Sequence, residues 1–219
     1  MSLATLKSKV EQLILKAQSG GDDFAKNLIE GNLIELNTDA SKIRNSAFRS
    51  YTKLTKVNAP NVTAIENNAF DGCTNLTEVN MPKISYLGGV WAFQNCTKLT
   101  TVNIPNVTIF AGSAFKNSGI TQAHFEKLTS ADSECFNGCK NLTSVYLPKL
   151  KKVSSQMFAN CTALTEITLP NTVTEISSYA FNGCANLLDI YVPWAEGTIA
   201  NAPWGATNAT IHYNHNAEV

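Results

Sequence analysis

Residues 69–76 read A-F-D-G-C-T-N-L, and close copies follow as A-F-Q-N-C-T-K-L at 92–99 and A-F-N-G-C-A-N-L at 180–187. A phenylalanine followed three residues later by a cysteine, in one recurring frame, points either to thiol chemistry or to a structural repeat. Phenylalanines stand at Phe48, Phe70, Phe93, Phe115, Phe136, Phe158 and Phe181, with intervals of 22, 23, 22, 21, 22 and 23. Cysteine occupies the third position after them at Cys73, Cys96, Cys139, Cys161 and Cys184, with Tyr51 and Ser118 as substitutes. Leu54, Leu76, Leu99, Leu142, Leu164 and Leu187 come three residues later still, and Ile120 arrives one residue early, so that copy is short. A fixed period near 22 residues is the signature of a repeat architecture.

Each copy also carries a short alternating segment: Val57-Asn58-Ala59, Val79-Asn80-Met81, Val102-Asn103-Ile104, Val145-Tyr146-Leu147, Ile167-Thr168-Leu169 and Ile190-Tyr191-Val192, all followed by proline. Ala123-His124-Phe125 is followed by Glu126 instead. Apolar–polar–apolar alternation is a strand signal, with the polar residue at the strand centre and exposed. A proline has no N–H for the ladder and ends the strand. A second apolar pair follows, Val62/Ile65, Ile84/Leu87, Val107/Phe110, Leu128/Ala131, Leu150/Val153 and Val173/Ile176. Two residues after Phe stand Gly72, Asn95, Asn117, Gly138, Asn160 and Gly183, with Ser50 the exception. Glycine and asparagine tolerate positive φ, so A-F-x-G/N reads as a tight helical turn closed by a left-handed residue. One coil cannot bury its own apolar set; stacked coils bury it continuously, which makes a solenoid of short parallel strands.

The L-x-x-V-x-I-P … A-F-x-x-C units resemble the BspA-like leucine-rich repeat family over residues 33–193. The resemblance implies a curved right-handed leucine-rich-repeat solenoid of the α/β class, mostly short parallel strands with helical turns. It also implies a binding or adhesion role, a bacterial-surface, protist or phage setting, and no catalytic residues.

The ends depart from the repeat. Leu3, Leu6, Val10, Leu13, Ile14 and Ala17 fall at helical spacing, and Asp22 or Asp23 can cap a second short helix ended by Gly31. Residues 1–32 are therefore expected to form a helical N-terminal cap; the alternative is a docking segment that makes a homo-oligomer. Residues 194–219, with Trp194, Trp204 and an alternating Ala209, Ile211 and Tyr213, are expected to form a C-terminal cap with a final strand. The capping end and the T-L-K-S-K-V-E-Q-L-I-L-K-A opening also look like tail-appendage proteins of gut-bacterial phages.

Composition bounds the chemistry. Of 219 residues, 17 are Lys or Arg and 17 are Asp or Glu, so nothing in the overall charge favours nucleic acid or an anionic membrane. No apolar run reaches the length of a membrane span, and the first residues lack the apolar stretch of a secretory signal. Five of the six cysteines share one repeat slot, so the expected role is a buried free thiol; disulfides between rungs and a metal site are the competing readings. Cys135 falls in the slot before Phe136 and is expected to be buried as well. No Cys-x-x-Cys pair with zinc spacing occurs, and no cofactor motif is present. His124, His212 and His215 suggest no acid–histidine–nucleophile set and are read as surface residues without a role. The recurring Asn-x-Thr sites, such as Asn61 and Asn106, read as a by-product of Asn-rich turns, and the Lys149, Lys151, Lys152 run as a solvated rim.

The informative surface is the row Asn58, Asn80, Asn103, His124, Tyr146, Thr168 and Tyr191. Solenoid sheets present such rows to partners, and Tyr146 and Tyr191 have large amphipathic faces suited to an interface. The expectation is a non-enzymatic adhesion or binding module that meets a protein or glycan there. The alternative is a structural virion component, a tail or fibre appendage, docked through residues 1–32.

Overall fold

The computed structural model describes residues 34–215; the expected helical cap over residues 1–32 lies outside them. The described chain is a parallel-strand β-solenoid of about eight turns. Each coil up to β14 contributes two strands, and the last two contribute one each. The first ladder comprises β1 (Glu35–Asn37), β3 (Lys56–Asn58), β5 (Glu78–Asn80), β7 (Thr101–Asn103), β9 (Gln122–His124), β11 (Ser144–Tyr146), β13 (Glu166–Thr168), β15 (Asp189–Tyr191) and β16 (Thr210–His212). The second comprises the two-residue strands β2 (Lys42–Ile43), β4 (Ala64–Ile65), β6 (Tyr86–Leu87), β8 (Ile109–Phe110), β10 (Ser130–Ala131), β12 (Lys152–Val153) and β14 (Glu175–Ile176).

All pairings are parallel and join the same slot of successive coils, as in Val57 opposite Val79 and Val79 opposite Val102. The first-ladder strand begins one residue earlier than the apolar–polar–apolar triplet suggests. Its centre is the inward residue, Val57 or Val79, and the polar residue ends it. The next residue still bonds to the neighbouring coil, Ala59 N–H to the Asn80 carbonyl at 2.9 Å, before Pro60 removes the following donor.

The expected helical turns are not formed: among the described residues there is no helix. The reason lies in where the backbone donors go. Around Phe48, the N–H groups of Ser46, Phe48 and Ser50 bond to Asn67, Ala69 and Asp71 of the next coil, at 2.7–2.9 Å. The residues between them, Ala47, Arg49 and Tyr51, bond three residues back within the coil. An α-helix would send every donor four residues back; here every second donor is committed to the stack. Six of the seven corners carry two left-handed residues, and the Phe181 corner carries one. Ser50, Gly72, Asn95, Asn117, Gly138, Asn160 and Gly183 have φ of 57–75°, and Ser46, Asn68, Trp91, Ser113, Glu134 and Gln156, two before Phe, have φ of 53–62°.

The core runs the length of the described coils. The seven phenylalanine rings stack in one file, with successive centroids 5.3, 5.3, 5.4, 6.0, 5.6 and 5.7 Å apart and planes within 12° of parallel. The widest step, Phe115 to Phe136, marks the short copy. There Gly119 presses so close to the coil before it that an added Cβ would lie 2.3 Å from the Thr97 carbonyl oxygen. The first ladder breaks at that point: β9 pairs with β11 and not with β7. Phe125 packs its ring edge-on to Phe110 at 5.0 Å, beside Phe115 and Phe136. Val102, on the strand at the break, is only half-buried, whereas Val57 and Val79 are buried. Beyond β15, the Trp204 carbonyl accepts the Phe181 N–H at 3.0 Å, and its buried indole donates to the Ala200 carbonyl at 2.8 Å.

Candidate functional site: the outer face of the first ladder

The cysteines are part of the wall and not of a site. All six are free and buried. Phe70 shows why this slot takes a small donor. Its carbonyl accepts the Cys73 N–H within the coil and also faces Cys96, whose Sγ lies 3.1 Å away. The same thiol-to-carbonyl contact joins Cys73 to Phe48, Cys139 to Phe115, Cys161 to Phe136 and Cys184 to Phe158, at 2.9–3.2 Å. The thiol thus gives a buried carbonyl a second, weak donor. Cys135 does likewise with Ala111 at 3.3 Å. Burial pushes the thiols of Cys73, Cys135 and Cys139 up to about 12 and that of Cys184 to about 11. Such thiols are not nucleophiles at neutral pH. Among the described residues no group of three His, Cys, Asp or Glu side chains is placed to hold a metal ion.

The outer row of the first ladder divides into two halves. Asn58, Asn80 and Asn103 align with Asn37 and with one another. Their amides form a chain: Asn58 Nδ2 donates to Asn37 Oδ1 at 3.3 Å, Asn80 to Asn58 at 2.8 Å, and Asn103 to Asn80 at 2.7 Å. The chain uses one N–H and one oxygen lone pair of Asn58 and of Asn80, which ties neighbouring coils together and engages part of each amide's hydrogen-bonding capacity.

The second half is aromatic. His124 lies beside Tyr146 in register, edge-on with centroids 6.1 Å apart. His124 Nε2 and Ser144 Oγ are 2.7 Å apart on the exposed sheet surface. Among the described residues no carboxylate holds the other ring nitrogen, so this pair lacks the orienting acid of a catalytic triad. Thr168 is exposed opposite Tyr191. The Tyr191 ring stacks on His212 at 4.5 Å and 17° and lies 4.7 Å from His215. His212 Nε2 is 2.7 Å from Asp189 Oδ1. Desolvation, and then the negative charge of Asp189 and Glu166, raise the Tyr191 phenol above its ordinary range.

His212 and His215 are therefore neighbours of this row, where the sequence reading gave them no role. The signal for His212 is present in the spacing. It follows Tyr191 by 21 residues and so takes the same slot one coil on.

Parallel coils with repeated Leu, Val, Phe and Cys slots define a leucine-rich-repeat solenoid. The chain belongs to the BspA-type leucine-rich repeat family, whose six-copy region matches residues 24–143 and 114–203. Membership suggests a protein-binding or adhesion role. Similar solved structures include a leucine rich cell surface protein from Faecalibacterium prausnitzii A2-165, with 19% identity, a TM-score of 0.30, and coverage of 80% of this chain and 77% of that one. The T. pallidum leucine-rich repeat protein has 18% identity, a TM-score of 0.38, and coverage of 84% and 70%. A leucine-rich repeat protein from Bacteroides ovatus ATCC 8483 has 15% identity, a TM-score of 0.30, and 82% coverage of each chain. No curated protein matches the chain.

Proposed function

We propose that this chain is a non-catalytic adhesion module that meets a protein or glycan ligand through the aromatic half of the first ladder, His124, Tyr146, Thr168 and Tyr191. The observation that carries the reading is the contrast within one row. The asparagine half shares amide hydrogen bonds along the stack, while Tyr146 keeps 43% of its surface exposed beside His124. Exposed tyrosines on a rigid surface are efficient interface anchors, because few rotatable bonds are ordered on binding. The cell-surface setting that goes with adhesion belongs to the same proposal.

The test is a combined protein and glycan array probed with the wild-type chain and with the Tyr146→Ala/Tyr191→Ala double variant. Loss of the wild-type signal in the variant supports this surface. A signal that survives both substitutions removes it.

A further inference from the structure

The second ladder carries a separate concavity. Its outer row runs Ala64, Tyr86, Ile109, Ser130, Lys152 and Glu175, one residue per coil, with Tyr86 opposite Ile109 and Ile109 opposite Ser130. This row changes character along the axis. Tyr86 and Ile109 are large, apolar and 53% and 40% exposed. From Ser130 onward the row enters a groove of about 1030 Å³. Its floor repeats small polar groups coil by coil, Asp132 and Ser133, then Ser154 and Ser155, then Ser177 and Ser178. Thr198–Asn201 wall it at the C-terminal end, and Val90, next to the 43%-exposed Trp91, lies at the other.

Two features decide what this groove can take. Among the described residues, the hydroxyls of Ser130, Ser133, Ser155, Ser177 and Ser178 make no hydrogen bond within the protein. The amides of the first ladder, by contrast, are engaged with one another. The groove backbone is also closed: the carbonyls of Gly112, Ser133 and Ser155 accept the N–H groups of Trp91, Ser113 and Glu134 at 2.9–3.1 Å. A peptide therefore cannot add here as an extra strand. What remains for a ligand is a stacking surface followed by a file of free hydroxyls and the Asp132 carboxylate, which has no ion-pair partner among the described residues. Charge is nearly balanced, since Lys152 and Glu175 pair across the rim at 2.6 Å.

We infer that the second-ladder groove, together with the adjoining exposed Tyr86 and Ile109 outside its lining, is a binding site for a linear, neutral polysaccharide, with a sugar ring on Tyr86 and Ile109 and the following rings over the serine file. A pyranose has the matching amphipathic form, an apolar C–H face and an equatorial belt of hydroxyls. The coils stand about 4.8 Å apart; an extended β-1,4-linked pyranose chain lying along the solenoid axis advances by slightly more than that per ring, so a few successive rings stay near the same slot of successive coils. Gly88 leaves room for the Tyr86 ring to lie over the backbone: a Cβ there would stand 2.7 Å from Tyr86 Cε1 and displace the ring. Gly88 is thus a positioning residue for the stacking ring. This site does not depend on the first-ladder row, and either can fail alone.

The test uses cellohexaose, laminarihexaose, chitohexaose and mannohexaose, titrated into the full chain by calorimetry at millimolar ligand, with tryptophan fluorescence as a second readout. The expected result is saturable binding of at least one hexasaccharide. Tyr86→Ala weakens that binding about tenfold, the scale of one lost aromatic stack. Gly88→Ala weakens it with an unchanged melting temperature, Ser133→Arg blocks it, and Tyr146→Ala/Tyr191→Ala leaves it at the wild-type value. Absence of binding by all four sugars overturns the inference. So does binding that persists in both Tyr86→Ala and Ser133→Arg, binding lost in the Tyr146/Tyr191 variant, or selection by the groove of peptides in place of sugars.

Discussion

Phe70 and Phe93 stack with their ring planes 2° from parallel and their centroids 5.3 Å apart, although they belong to different coils. This relationship, repeated from Phe48 to Phe181, is the axis on which the coils are threaded. Removing one ring from the middle leaves a cavity between two neighbours that cannot close it. Phe136→Ala is expected to cost about 3–5 kcal/mol, measured by urea unfolding. An equal midpoint for Phe136→Ala and Asn80→Ala would contradict the single-file core.

The asparagine chain predicts a smaller, graded effect. Asn80 both donates to Asn58 and accepts from Asn103, whereas Asn37 has one such bond. Asn80→Ala is expected to cost about 1 kcal/mol at this half-buried site, and Asn37→Ala less. Chemical denaturation of the two variants side by side checks the order.

The left-handed corner predicts a conformational penalty. Gly138 has φ of 72°, and a Cβ there would fall 2.1 Å from Asn117 Oδ1. Gly138→Ala is expected to cost about 1–2 kcal/mol through backbone strain, with a further loss from the contact with Asn117. Adding Asn117→Ala relieves the contact and leaves the strain, so a double-mutant cycle should recover only part of the loss.

The thiols predict silence in the native state. With folded values near 12 for Cys73, Cys135 and Cys139, native protein at pH 8 should resist alkylation by iodoacetamide and react fully once unfolded. Their folded values lie above the ordinary 9.0. Their contribution to stability is therefore complete below about pH 9 and is lost as pH climbs toward 12. Rapid labelling of the folded chain would show that the slot is open.

Glu134 predicts the opposite limb. The Lys116 ammonium at 2.7 Å, helped by the Ser113 hydroxyl, holds its carboxyl below the usual range. A depressed folded value stabilises above the unfolded value, about 4.3, and the gain disappears as pH falls through the folded value. Glu134→Gln should cost about 0.5 kcal/mol at pH 7, the scale of a partly exposed ion pair, and nothing at pH 2. Parallel thermal melts at the two pH values measure it.

Much of this was legible in the residues. The 22-residue period, the inward Leu, Val, Phe and Cys slots and the outward row all follow from burial at fixed intervals, which leaves its mark on residue type. The corner is not legible in the same way, because a left-handed residue after A-F fits both a closed helical turn and the actual corner. The choice was made by backbone donors of Ser46, Phe48 and Ser50 finding carbonyls a coil away. The two-residue strands of the second ladder are too short to show alternation. The neighbourhood of Tyr191 with His212 and His215 likewise requires coils brought into contact.

The sequence by itself determined that identical slots recur and that each must be shared with its neighbours, since a lone coil has too little interior to cover its own apolar groups. Only the tertiary structure decided which polar groups the stack consumes and which it leaves open. The amides at Asn58 and Asn80 and the hydroxyls at Ser133 and Ser155 are equally polar as letters. Their difference arises from whether register brings a partner within hydrogen-bond reach.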